Sequence, residues 1–63
     1  MDKEQLKHRL NLVNEQIEIY KENAIGHIER EEMIPATCEV ALMRDLKEQQ
    51  GLLKMLLESE KKQ

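Results

Sequence analysis

Aromatic side chains are almost missing from this chain: Tyr20 stands alone, with no Trp or Phe. That removes the bulky groups on which small globular cores and base-stacking platforms are built. Cysteine occurs once, at Cys38, so no internal disulfide can form. The two histidines and the cysteine, at 8, 27 and 38, lack the spacing of a metal site. No apolar run approaches the length of a membrane span, and the opening MDKEQLKHRL has no apolar stretch of signal-peptide size. From these absences we expect a cytoplasmic protein with no membrane association, no metal and no cofactor. Pro35 is the only proline, and Gly26 and Gly51 are the only glycines, so little in the chain interrupts helix.

What remains is a mixture of Leu, Ile, Met, Glu, Lys and Gln, with 37% charged and 40% hydrophobic residues. That is the composition of long helices and coiled coils, and it is too apolar for a disordered tail. Sixty-three residues make one small domain at most. Chains of this size without a disulfide or a metal usually draw stability from a partner chain.

Leu6, Leu10, Val13, Ile17, Tyr20 and Ala24 are spaced 4, 3, 4, 3 and 4, the seam of a heptad pattern. Asp2 is the expected N-cap, with Gln5 three residues on as its capping-box partner. Gly26 offers a stop, but Ile28, Glu29 and Arg30 continue the two-faced pattern, which carries the helix to about Glu32. Pro35 lacks an N–H and disfavours helix at Ile34, so the break is expected around it. Thr37 is then the N-cap candidate for a second helix, with Glu39 in its first turn, and Pro35 at the first helical position is the alternative. Leu42, Leu46, Leu53 and Leu56 or Leu57 form the second stripe, with Gln49 and Gln50 between them. The expected fold is all-α: an antiparallel two-helix hairpin, dimerising into a four-helix bundle. It forms a single domain over 1–63, with a helix over about 3–32, a turn over about 33–37 and a helix over about 38–59. In that arrangement Gln49 and Gln50 fall near Tyr20. They either form a polar layer in the seam or lean out to water.

Wound at about 100° per residue, the charges of the first helix crowd into one arc, opposite the seam. Beside the seam runs a strip holding no charge: Gln5, Leu12, Gln16, Ile19 and Asn23. One neighbouring helix covers a stripe of roughly 100°, and this helix offers nearly twice that width. Leu52 and Met55 lie similarly off the stripe of the second helix. The candidate protein-interaction residues are therefore Leu12, Gln16, Ile19, Asn23, Leu52 and Met55.

Catalysis finds no constellation to stand on. The carboxylates lie on a face where Glu and Lys at i,i+4 usually serve solubility. Cys38 begins the second helix, where a dipole lowers thiol pKa, but no base is fixed beside it. His27 falls on an inward position near the turn, where its ring points out to solvent or serves as a pH-sensitive element. His8 falls on the outer face. No catalytic residue and no small-molecule substrate is expected.

The function expected is that of a small, non-enzymatic regulatory or adaptor protein acting through helix faces, with itself as a homodimer and with another protein. The net charge of −3 argues against nucleic acid. The alternative is a nucleic-acid-associated bundle using Lys3, Lys7, Arg9, Lys54 and Lys61 at the end where both termini meet. Charge is uneven along the chain. Residues 1–14 and 50–63 hold six Lys or Arg against four Asp or Glu, while residues 15–49 hold four against nine. The turn half of such a hairpin is therefore acidic, at −5 against +2 for the terminal half.

Overall fold

The computed structural model describes residues 2–61, with the side chain of Lys61 left out of the description. Two helices account for nearly all of it: α1, Lys3–Glu29, and α2, Met33–Lys61. They pack against each other along their length as a rod of 49 × 14 × 13 Å. Each helix has one neighbour, so what is buried is a seam.

The start of α1 follows its sequence signal. Asp2 Oδ1 accepts from the Gln5 N–H at 2.9 Å, and Gln5 Oε1 accepts from the Asp2 N–H at 3.2 Å. This reciprocal box satisfies two of the amides that a helix start leaves open.

Its end comes earlier than the periodicity implies. Glu31 adopts a left-handed backbone, φ 61°, and the chain closes around it. The Glu32 N–H donates to the His27 carbonyl at 2.8 Å, and the Glu31 N–H donates to the Ile28 carbonyl at 3.0 Å. These paired bonds are a Schellman motif, which normally places glycine at the left-handed position. Here a glutamate occupies it, so residue-type reasoning passed over the stop.

Pro35 likewise plays a different part. It lies inside the first turn of α2, where amides have no helical partner and a missing N–H costs nothing. The first bond of α2 runs from the Ala36 N–H to the Glu32 carbonyl at 3.2 Å. The connection is thus 30–32, in place of the expected 33–37, and α2 begins at Met33, five residues before the expected start. Thr37 is not an N-cap. Its hydroxyl donates back to the Met33 carbonyl at 2.8 Å. Glu39 sits beyond the first turn, which contains no acidic residue.

Moving the turn changes the register. The seam of α1 is the expected one, with Leu6, Val13, Ile17 and Ala24 buried and Leu10, Tyr20 and His27 half-buried. The seam of α2 is Ala36, Glu39, Met43, Leu46, Gln50, Leu53 and Leu57, again alternating by three and four. Leu42, expected on it, is 45% exposed, and of the alternatives Leu56 and Leu57 it is Leu57 that lies in the seam, with Leu56 52% exposed. Gln50 is the seam glutamine, and its Nε2 donates to Asn14 Oδ1 at 2.6 Å. It therefore lies level with Asn14, away from Tyr20, about two helical turns nearer the termini than the expected turn implied. Gln49 is exposed.

The apolar centre holds Leu6, Val13, Ile17 and Leu53, with Leu10, Leu46 and Leu57 packed against them. It occupies the half of the rod near the termini. Toward the turn the seam thins to Ala24, Ala36 and the half-buried Glu39. The Oε2 atom of Glu39 is shielded and has no hydrogen-bond partner among the described residues.

Candidate interaction face

A hairpin of two helices has two flanks, one on each side of the seam. In an antiparallel pair, residues just to one side of the seam on α1 share a flank with those on the corresponding side of α2. Two local features fix which is which. A shallow groove lined by Arg9, Gln49, Leu52 and Leu53 joins the Arg9 side of α1 to the Gln49 side of α2. The Gln50–Asn14 bond closes the opposite side.

The first flank carries Leu12, Gln16, Ile19 and Asn23 from α1, with Leu42, Gln49, Leu52 and Leu56 from α2. Its aliphatics are all open: Leu12 45%, Ile19 54%, Leu42 45%, Leu52 60% and Leu56 52%. Gln16 and Asn23 are exposed as well. A second depression, lined by Glu4, Gln5, His8, Arg9 and Leu12, runs along the outer edge of this flank. Arg9 and Asp45 are charged residues there, with Glu4 in the depression and Arg30 over Gly26 at the turn end. Five of the six proposed interaction residues thus share one side of the rod. Met55, 68% exposed, points away from α1 on the outer surface of α2 and does not join them. Leu42 and Leu56 belong to this flank and were missed. Spacing alone could not find them, since Leu42, Leu46, Gln49, Leu53 and Leu56 alternate by four and three as regularly as the frame through Ala36, Met43 and Gln50.

The second flank differs in chemistry. Lys7 and Lys21 of α1 and Lys47 and Lys54 of α2 line it, all exposed, around Asn14. Toward the turn it becomes apolar, with Ile25, Ile28 and Val40 each between 44% and 51% exposed. Met33 and Ile34, at 60% and 81%, cap the tip. Of the residues expected to form a basic end, Lys3, Lys7, Arg9 and Lys54 are exposed. They do not make one surface, because Arg9 lies across the seam from Lys7 and Lys54. The side chain of Lys61 is outside the described residues.

At the turn, His27 is drawn into a polar cluster. Its Nδ1 lies 3.1 Å from Glu32 Oε1 and 3.2 Å from a terminal nitrogen of Arg30. One ring nitrogen cannot donate to the carboxylate and accept from the guanidinium together. The carboxylate needs a donor, so the proton belongs on Nδ1, and Arg30 reaches Glu32 through its Nε at 2.7 Å. The His27 side chain is 23% exposed, so the ring tucks against the turn and does not point out to solvent. Hydrogen bonds from His27 first, and then from Arg30, hold the Glu32 carboxyl below its ordinary pKa. With Glu32 solvent-exposed, this cluster shapes the turn but forms no enclosed chemical site.

Cys38 is exposed and unpaired, and among the described residues no three His, Cys, Asp or Glu converge as a metal site. No described helix is long and apolar enough to cross a membrane. No protein-family model, curated protein or solved structure matches the chain.

Proposed function

We propose that this protein is a small, non-enzymatic regulator or adaptor of the cytoplasm that works by helix-face association, first with a second copy of itself. The observation that supports this is the flank of Leu12, Ile19, Leu42, Leu52 and Leu56. Among the described residues eleven large hydrophobics are exposed, against six buried hydrophobic residues of which two are alanines. Monomeric proteins scatter single exposed aliphatics, but a row drawn from both helices and nearly free of charge marks an interaction surface. Pairing two hairpins on this flank makes a four-helix bundle and gives each helix the second neighbour that its wide uncharged arc calls for.

The test is the Leu12→Glu, Ile19→Glu double variant. Two carboxylates placed in a buried contact cost several kcal/mol, about 2 or more each, while leaving the seam of the hairpin untouched. Light scattering should show the parent as a dimer and the variant as a monomer with a lower melting temperature. A variant with the mass and melting behaviour of its parent would overturn the reading.

The lysine row of the other flank favours a second reading, a bundle that also contacts nucleic acid. Lys7, Lys21, Lys47 and Lys54 come from both helices onto one side, although the net charge is −3. This predicts weak binding to RNA or DNA that falls steeply with salt and is lost on changing these lysines to glutamine. Absence of salt-sensitive binding at low ionic strength would eliminate it.

A further inference from the structure

We infer that the second copy packs side by side with the first in opposite direction: the two rods lie antiparallel, related by a two-fold axis that crosses the seam near Gln16 and Gln49. This rests on the self-association proposed above and specifies its geometry.

A two-fold interface must be self-complementary, so that a residue on one side of the axis meets its counterpart from the other side. The aliphatic flank has that pattern in both helices. On α1, Leu12 and Ile19 stand on either side of Gln16. On α2, Leu42 and Leu56 stand seven residues to either side of Gln49. The two centres coincide along the rod. The Gln50–Asn14 bond sets Gln50 level with Asn14, which brings Gln49 to within one or two residues of Gln16, roughly 3 Å along the axis. An axis through this level places Leu12 over Ile19 of the second copy, and Leu42 over its Leu56. Each glutamine meets its own twin, and a pair of side-chain amides can donate and accept reciprocally.

Apolar matching alone would also allow the parallel arrangement, in which α1 of one copy covers α2 of the other. Charge separates the two. Among the residues whose side chains are described, the terminal half carries Lys3, Lys7, Arg9 and Lys54 against Asp2, Glu4, Glu58 and Glu60, a balance of zero, and the turn half stands at −5. Parallel rods set the two acidic halves side by side, whereas antiparallel rods set each acidic half beside a neutral one. The charges of facing rods stand at least one helix-packing distance apart, about 8–10 Å, against a Debye length of about 8 Å at physiological salt. This preference is therefore partly screened there and strongest at low salt.

The experiment uses the full chain with Cys38→Ser and one new cysteine at a polar position, so that no aliphatic is lost. Gln16→Cys and Gln49→Cys are each oxidised alone and as an equimolar mixture in a glutathione buffer. Antiparallel packing predicts that each chain cross-links to itself and that the mixture gives mainly the two self-linked species. Mainly mixed dimers would mean parallel rods and refute the inference while leaving self-association standing. A spin label on Lys3→Cys gives an independent reading. Antiparallel copies hold the two labels roughly 35–40 Å apart, and parallel copies hold them within about two helix widths, roughly 20 Å. Sedimentation equilibrium on the unsubstituted protein runs beside both. A monomer at high micromolar concentration would remove self-association and this geometry together.

Discussion

Replacing Glu31 with glycine should stabilise the protein, although it removes a side chain and touches no core residue. Glu31 sits at φ 61°, the left-handed position of the Schellman motif that ends α1. For a residue bearing a Cβ, that conformation costs roughly 1–2 kcal/mol. Glycine adopts it freely but adds freedom to the unfolded chain, worth roughly 0.5–1 kcal/mol against the change. The net gain expected is about 0.5–1 kcal/mol, which in a domain of this size raises the melting temperature by roughly 2–8 °C. Glu31→Ala separates backbone from charge. It keeps the strain and deletes the carboxylate, so it should melt within a degree or two of the parent. Asparagine, which tolerates the left-handed region, should fall between alanine and glycine. The assay is thermal unfolding by circular dichroism at one protein concentration, since an associating protein melts differently at each. Glu31→Gly melting at or below Glu31→Ala would refute the argument, because the chain could not then be turning through a left-handed residue at 31.

Gly51 lies inside α2, and a Cβ built there meets nothing within 4 Å. Gly51→Ala should therefore add about 1 kcal/mol of stability by denaturant unfolding; a loss would mean that another backbone approaches at this point. Leu53 is 9% exposed in the centre of the seam and Met55 is 68% exposed on the outer surface. Leu53→Ala should cost roughly 2–4 kcal/mol and Met55→Ala less than about 0.5, and equal losses would contradict the assigned seam. The lowered Glu32 pKa makes a stability contribution that is present above the ordinary carboxylate range and disappears as pH falls through the folded-state value. A carboxyl-carbon titration should place Glu32 below the ordinary glutamate value, and Glu32→Gln should flatten the acid limb of the stability curve. A Glu32 midpoint at the ordinary value would remove the turn cluster from the account.

How far the sequence alone reached depended on the range of the interactions involved. The seam of α1 was fully readable, because six apolar residues at heptad spacing report which face of a helix is buried wherever its partner lies. The Asp2–Gln5 cap was readable for the same reason: all its partners lie within three residues. The uncharged strip with Leu12 and Ile19 needed only the helical wheel.

The turn was decided by backbone geometry that no residue type announced. A glutamate took the left-handed position usually held by glycine, and the proline that looked like a stop sat harmlessly in the first turn of α2. Shifting the turn from about 35 to about 31 slid α2 past α1 by about one heptad. That slide kept the buried face of α1 and changed its partners, taking Gln50 from Tyr20 to Asn14. It also turned Leu42 and Leu56 out of the seam and onto the flank of Leu12 and Ile19. Periodicity within one helix says which face is covered. Only the packed pair sets the register between two helices, because register depends on where the chain turns back, and here a single strained residue decides that.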